Sequence, residues 1–182
     1  MSSEIRRKTA RLLLRPYRST DLDDLLAIRR RPDVVRYLYA EVQDRGVVAD
    51  VLRRRMVMDR LVAPGDSLVL AVERHGRVVG DVSLEWTSGE HRQGEIGFVF
   101  HPDAHGHGYA TEAAGALLDL AFDEVLLHRV SGRCDARNTA SAALMRRLGM
   151  RQEAHFVHNE WFKGAWGDEL VFAVLEHQWR VR

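Results

Sequence analysis

A mixed β-sheet flanked by helices, in the α/β (α+β) class, is the fold this sequence predicts. Three observations carry that expectation. Strand-like and helix-like stretches follow one another in the order β-α-α-β-β-β-α-β-α-β-β. A meander of three strands stands in the middle of that order. A β-α-β crossover comes next, which sets parallel pairing beside the antiparallel meander and places helices on both faces. The 182 residues suit one domain, 1–182, long enough for a sizeable core.

The elements run as follows. Arg11–Tyr17 (RLLLRPY) reads as the first strand. Thr20 is placed as the N-cap of the next helix, DLDDLLAIRR, whose acidic first turn and basic last turn suit the helix dipole. Val47–Val62 is a second helical stretch, stopped by APGD. SLVLAVER and RVVGDVSLEW flank His75–Gly76, a hairpin signal, and Gly94–Phe100 (GEIGFVF) is the strand after them. Ala113, Ala114, Leu117, Leu118, Ala121, Phe122 and Val125 recur at helical spacing, so Gly108–Val125 carries a buried helix face. HRVSGRCD is a strand. TASAALMRRLG is a short helix ending at Gly149, where a glycine just past the end is favoured. RQEAHFVH and ELVFAVLEHQW close the chain as strands.

Apolar residues make up 46% and charged residues 29%, a soluble globular composition rather than a disordered one. The 27 Lys+Arg against 26 Asp+Glu lack the basic excess of a general nucleic-acid binder, so no nucleic-acid partner is expected. Residues 1–31 hold nine Lys/Arg against four Asp/Glu, and Arg29–Arg31 and Arg53–Arg55 form two triplets. These read as solvated helix faces or as a patch for a polyanion. Cys134 is the only cysteine, which excludes an intrachain disulfide and leaves a small core or surface residue. No apolar run reaches the length of a membrane span. MSSEIRRKTA lacks the apolar stretch of a secretory leader, so the expected location is cytoplasmic, with no membrane partner.

The stretch HPDAHGHGYATEA, His101–Ala113, carries the strongest chemical signal. It leaves a strand near Phe100 and enters a helix near Gly108. A helix start exposes unpaired N–H groups and roughly half a positive charge. Glycines let a phosphate approach that backbone closely. The loop is therefore suited to an anion, a phosphate or pyrophosphate. A nucleotide P-loop would need Gly-Lys-Ser/Thr, which is absent. A dinucleotide-binding turn would need Gly or Ala where Thr111 stands. A metal site would draw on His101, His105 and His107 with His155 and His158, but only Asp103 adds a further ligand at matched spacing, and no metal is expected. A tight turn with no ligand is the plain alternative. An acyl-coenzyme A loop is the reading with which the surrounding residues agree.

Four segments in order carry a family resemblance: RLLLRPYRSTDLDDL, EIGFVFHPDAHGHGYATEA, LHRVSGRCDARNTASAALMRRLGMRQEA and WGDELVFAVLEHQW. Together they resemble the GNAT acyltransferase superfamily, in particular its ribosomal-protein-acetyltransferase-like (Rim-type) branch. The resemblance implies a single N-acetyltransferase domain using acetyl-CoA as cosubstrate. It implies about seven strands, splayed between the fourth and fifth, and about four helices. The superfamily loop reads Arg/Gln-x-x-Gly-x-Gly/Ala. His105 holds the first position, Gly108 the fourth and Ala110 the sixth, so His105 is a departure. By resemblance, N–H groups around Gly106, His107, Gly108, Ala110 and Thr111 cradle the pyrophosphate, and the strand at Phe98, Val99 and Phe100 pairs with the pantetheine amides as an added strand would. Asn138 matches the asparagine that contacts the pantetheine arm. It also suits a helix cap, and both roles can hold at once.

Acetyl transfer needs a neutral amine, a polarised thioester carbonyl and a departing thiolate. The resemblance puts polarisation on a backbone N–H near Val99 or Phe100. Glu95 is the candidate base, acting through a water. Burial beside Phe98 would raise its pKa; otherwise it is a partly exposed strand glutamate. Glu160, in HNEWFKGAW, is the alternative base or a substrate contact, and Glu85 is a third choice. Many superfamily members use a tyrosine after the asparagine as acid, but the last tyrosine here is Tyr109. Ser141, three residues after Asn138, takes that place by resemblance, or simply belongs to the helix start. Trp161, Trp166 and Phe162 with Glu160, Asp168 and Glu169 could wrap a cationic amine or form a hydrophobic hairpin with a solvated rim. The region from Asp33 to Arg60 forms the opposite wall. A peptide N-terminus or lysine would want an open groove, whereas a polyamine or aminoglycoside-like amine would want acids converging on a closed pocket. A succinyl donor would want a basic residue beside the acyl end. A non-catalytic acyl-CoA sensor would keep the loop without the base. A homodimer, if formed, is expected around Trp161, Trp166 and Trp179.

Overall fold

The structure, a computed structural model, describes residues 5–181. Met1–Glu4, the start of the segment read against a secretory leader, and Arg182 lie outside the described residues. The chain opens with β1 (Arg7–Lys8), which pairs with β2 (Leu13–Pro16). A single-turn 310 helix, Ser19–Asp21, leads into α1 (Leu22–Arg29), followed by the one-turn α2 (Pro32–Val35) and α3 (Arg45–Met56). Then come β3 (Ser67–Arg74), β4 (Arg77–Ser88) and β5 (Gln93–Phe100), each antiparallel to the strand before it. His75 and Gly76 turn with φ of 49° and 77°, the left-handed geometry of the tight hairpin that His-Gly predicts. α4 (Tyr109–Asp123) crosses to β6 (Arg129–Asp135), which runs parallel to β5. α5 (Thr139–Arg147), β7 (Arg151–Phe162), β8 (Ala165–Leu175) and α6 (Glu176–Arg180) complete the chain. The sheet order is β1-β2-β3-β4-β5-β6-β8-β7.

The expected mixed sheet is present, with eight strands among the described residues where about seven were predicted. Each departure has a local cause. Asp21, rather than Thr20, organises the start of α1: its buried carboxylate accepts from the Arg18 amide at 2.7 Å and from both Nη atoms of Arg15 at 2.7 and 2.9 Å. α3 starts two residues before Val47 because Asp44 Oδ1 caps the Val47 amide at 2.9 Å. It stops before Val62 because the Val69 amide takes the Met58 carbonyl at 2.7 Å and draws the chain onto β3. The closing strand ends at Leu175, since Arg129↔Leu175 is its last pair with β6. Past that point Gln178 caps the Leu175 amide at 3.1 Å, and the Trp179 indole donates to Asp119 at 2.8 Å.

Two apolar layers flank the sheet. On one face, Leu14, Leu70, Val82, Leu84 and Ile96 meet Ala113, Leu117, Leu118, Ala121 and Phe122 of α4. The helical spacing read in the sequence is thus the buried face of α4, each large side chain contributing about 1.5–3 kcal/mol. On the other face, Tyr17, Val69, Ala71 and Val78 meet Leu25 of α1 and Val48 and Leu52 of α3. Gly149, at φ 70°, follows α5 as expected, with the Met150 amide bonded to the Met145 carbonyl at 3.0 Å. Among the described residues no helix is long and apolar enough to cross a membrane.

Candidate active site

β5 and β6 are paired only at Gln93–Glu95 against Arg129–Ser131. Beyond Glu95, β5 continues with β4 alone and β6 continues with β8 alone. The strands therefore diverge, and the edge of β5 from Ile96 to Phe100 faces an opening. Phe98, Val99 and Phe100 lie on that edge, as the resemblance implies. A polar backbone edge left open inside a sheet invites an added extended partner.

The open edge runs into the glycine loop. The His101 ring accepts from the Asp103 amide at 3.2 Å, and the His105 amide closes a turn on the Pro102 carbonyl at 2.9 Å. Gly106 and Gly108 then sit at φ 76° and 77°, a conformation that disfavours side chains. A Cβ at Gly106 would meet nothing within 4 Å, so the loop surface is open to a ligand. The Gly108 carbonyl accepts the Glu112 amide at 3.0 Å and starts α4, leaving the Tyr109, Ala110 and Thr111 amides at the helix start. Arg11 anchors the loop from outside: Nη1 donates to the His107 carbonyl at 2.9 Å and Nε to Glu112 at 2.7 Å. Burial works against the Glu112 anion, but the Thr9 hydroxyl and Arg11 outweigh it and hold the carboxyl below its usual range. Arg147 reaches Thr111 Oγ1 at 3.4 Å. Cationic side chains thus flank a loop whose own first position is His105, exposed to solvent.

Asn138 caps α5, its Oδ1 accepting from the Ser141 amide at 3.1 Å. That leaves the Asn138 Nδ2 donors to meet a ligand amide. The two roles separate by substitution. Asn138→Asp keeps the cap and removes the N–H donors; its melting temperature should stay near that of the parent while acetyl-CoA affinity falls several-fold. Asn138→Ala should in addition lose about 1 kcal/mol of stability. Thermal unfolding and calorimetry on both variants check this.

The other face of the sheet holds the carboxylates. Glu95 and Phe98 are three apart on a regular strand and point to opposite faces, so the expected burial of Glu95 beside Phe98 does not occur. Glu95 is instead a third exposed and receives Arg133 Nε at 3.0 Å. Arg133 Nη1 also lies 3.6 Å from Glu169, whose carboxylate accepts from Asn159 at 2.9 Å. Glu169 is buried, and burial pushes its carboxyl up against the pull of Arg133; Glu160 and Glu95 add to the rise. Glu160 accepts a short hydrogen bond from Tyr39, whose hydroxyl is pushed up to about 12 by burial and by that carboxylate. Tyr37, Tyr39, Arg133, Glu160, Phe162 and Glu169 line a cavity of about 120 Å3. Cys134 borders it with its thiol pushed up to about 11, chiefly by burial.

The wall expected from Asp33 to Arg60 is supplied by the segment after α2. Lys163 clamps it with bonds to the Val35 and Ala40 carbonyls at 2.8 and 2.9 Å. Trp161 and Trp166 do not join the cavity. Alternation along β7 turns Glu160 and Phe162 inward and Trp161 outward, where it stacks edge-on against Trp166 at 5.6 Å, both exposed. Glu85 lies opposite Glu95 on β4 and is exposed. A larger groove of about 550 Å3 runs along α4 to Trp179 but shares only Thr111 with the expected cofactor residues. Among the described residues no three His, Cys, Asp or Glu side chains converge as a metal-ligand set. Sequence reasoning missed Arg133, Asn159 and Tyr39; only the pairing of β6, β8 and β7 brings the first two to Glu169.

Comparison with known proteins shows the family and the fold. An acetyltransferase (GNAT) domain model matches residues 11–151. The N-acetyltransferase YnaD of Bacillus subtilis strain 168 is 29% identical over 171 residues, covering 94% of this chain and 97% of that protein. The spermidine N(1)-acetyltransferase of Escherichia coli K12 is 25% identical over 166 residues, with 91% and 87% covered. The crystal structure of a GNAT-family acetyltransferase from Bacillus anthracis superposes with a TM-score of 0.85 at 30% identity, covering 95% of this chain and 99% of that one.

Proposed function

We propose that this chain, which belongs to the acetyltransferase (GNAT) family and is an N-acetyltransferase, moves the acetyl group of acetyl-CoA directly onto the amine of a small acceptor. One observation carries the reading. The open edge of β5 ends at a glycine-flanked helix start, and Arg133, bonded to Glu95 at the last β5–β6 pair, lines an acid-rich cavity across the splay. The edge at Phe98–Phe100 holds the pantetheine arm with Asn138. Gly106, His107, Gly108, Ala110 and Thr111 hold the pyrophosphate, with His105 at the loop entrance.

The acceptor arrives as an ammonium ion and reacts as an amine. Glu95 is the base, because it lies at the last β5–β6 pair, where the strands part. Glu160 sits farther out on β7, tied to Tyr39, and orients the acceptor. A proton passes from the amine through a water to Glu95. The nitrogen attacks the thioester carbonyl, a backbone N–H near Val99 or Phe100 steadies the oxyanion, and the C–S bond breaks. Ser141 delivers a proton to the departing sulfur and takes up the second proton of the attacking nitrogen in its place, so that the amide forms neutral and the serine is restored. The small volume and acidic lining of the cavity favour a small amine over a protein tail, and the likeness to a spermidine acetyltransferase supports the same choice.

The test is acetyl-CoA calorimetry followed by an acceptor panel of spermidine, an aminoglycoside and N-terminal peptides, read by thiol release. Micromolar acetyl-CoA binding with turnover of a small amine is expected, and peptides should be at least about tenfold poorer in kcat/KM. Failure to bind acetyl-CoA would sink the reading.

A further inference from the structure

The acceptor cavity is walled by β6, by the β7–β8 hairpin and by the run between α2 and α3. The first two belong to the sheet: β6 pairs with β8 from Arg129↔Leu175 to Asp135↔Glu169, and β7 pairs with β8 in turn. The third wall, residues 36–44, brings Tyr37 and Tyr39 to the cavity. It forms no helix or strand, and none of its residues is buried. Its main chain is anchored near each end, by the Leu38 amide on the Val35 carbonyl at 3.0 Å and the Gln43 amide on the Arg29 carbonyl at 3.4 Å. A segment with so little buried contact opens at low free-energy cost.

Side chains fasten the middle of this strap, and they tie it to the other two walls. The Tyr37 hydroxyl donates to the Arg137 carbonyl at 3.2 Å, one residue before Asn138. The Tyr39 hydroxyl donates to Glu160, and its ring stands edge-on to Phe162 at 5.2 Å. Lys163 completes the fastening. With Gly164 it makes the tight β7–β8 turn, at φ 50° and 80°. From that turn its ammonium donates to the Val35 and Ala40 carbonyls at 2.8 and 2.9 Å and lies 3.7 Å from Glu41.

The space inside is about 120 Å3. That holds roughly four water molecules at ~30 Å3 each, less than a polyamine or an amino sugar needs. With two walls fixed in the sheet, an acceptor of that size enters when the strap moves. Glu160 couples the two events. Its carboxylate is the catch for Tyr39 and, in the reading above, the group that orients the acceptor. Tyr39 and the incoming ammonium therefore compete for it. We propose that residues 36–44 are a strap that opens to admit the acceptor, latched by Lys163 and Tyr39, and that capture of the ammonium by Glu160 releases Tyr39. The proposal rests on the transferase reading above and adds how its acceptor enters.

A removable lock tests it. Glu41→Cys and Lys163→Cys, in a Cys134→Ser background, place two thiols where a carboxylate and an ammonium now face each other. A short bis-maleimide carrying a reducible disulfide joins them, and N-ethylmaleimide on both thiols is the unlinked control. The locked protein should bind acetyl-CoA within about twofold of the control in calorimetry. It should lose at least about tenfold in kcat/KM for spermidine, or for the panel amine acetylated in its place, and reduction should restore the rate. Tyr39→Phe adds a sign: freeing Glu160 should lower the acceptor KM about two- to fivefold, whereas losing a hydroxyl that binds substrate or holds the fold raises it. Turnover that survives the lock overturns the proposal, as does a raised KM in Tyr39→Phe. Loss of acetyl-CoA binding on locking also overturns it, since the segment then serves the cofactor. A control protein that binds acetyl-CoA and acetylates no amine of the panel removes the transferase reading and the strap's role with it.

Discussion

Gly108→Trp should abolish acetyl-CoA binding while leaving the fold intact. Gly108 has φ 77°, and a side chain there costs roughly 1–2 kcal/mol in backbone strain. The larger loss lies in the ligand. A Cβ at Gly108 would stand 3.4 Å from Arg11 Nη2, so an indole there displaces the guanidinium that holds the His107 carbonyl and Glu112 and disturbs the Tyr109–Thr111 amides, each of which can make a charge-assisted bond worth about 1.5–3 kcal/mol. Losing two of them weakens binding by at least about 100-fold. Gly76→Trp is the matched control: its φ is also 77°, and it lies in the hairpin between β3 and β4. Gly76→Trp, whose Cβ meets nothing within 4 Å, isolates the backbone strain, to which Gly108→Trp adds the displacement of Arg11; only Gly108→Trp should lose acetyl-CoA in calorimetry. Unchanged affinity in Gly108→Trp would move the pyrophosphate away from this loop.

The parts of the fold legible in the sequence were those written in local period and turn chemistry. The α4 face was legible because its apolar residues repeat every three or four positions over fifteen residues. His75–Gly76 and Gly149 were legible because left-handed backbone restricts the choice of residue. The end of β8 was not legible: Glu176–Arg180 turns helical because β6 offers no further partner, a fact about a strand far away in sequence. The splay came from family resemblance rather than residue pattern, since nothing in GEIGFVF or HRVSGRCD tells where two strands stop pairing. The side of the sheet taken by Glu95 and by Trp161 was available from strand alternation alone, and the sequence reading passed over it. The Arg133 and Glu169 pairing was out of reach, because it depends on β8 inserting between β6 and β7.

That pairing bears on the largest catalytic effect expected. Glu95→Gln should lower kcat by about 10²–10³-fold and leave acetyl-CoA affinity within about twofold, because general-base catalysis is worth about 10²–10⁴ and the amide keeps the shape. Glu95 cannot be a neutral bystander in this face: Arg133 is shared between it and Glu169, so removing its charge leaves the guanidinium to Glu169 alone. Glu160→Gln distinguishes a base from an orienting group. It removes the charge while its amide oxygen can still accept from Tyr39, and it leaves the Arg133 bridge untouched, so it should raise the acceptor KM about three- to tenfold with little change in kcat. Steady-state kinetics with one acceptor at saturating acetyl-CoA, across a pH series, separates the two. Loss of kcat in Glu95→Gln that shrinks as pH rises and the amine deprotonates unaided identifies the base. A loss of kcat confined to Glu160→Gln would transfer that role to the hairpin and make Glu95 the group that merely holds Arg133.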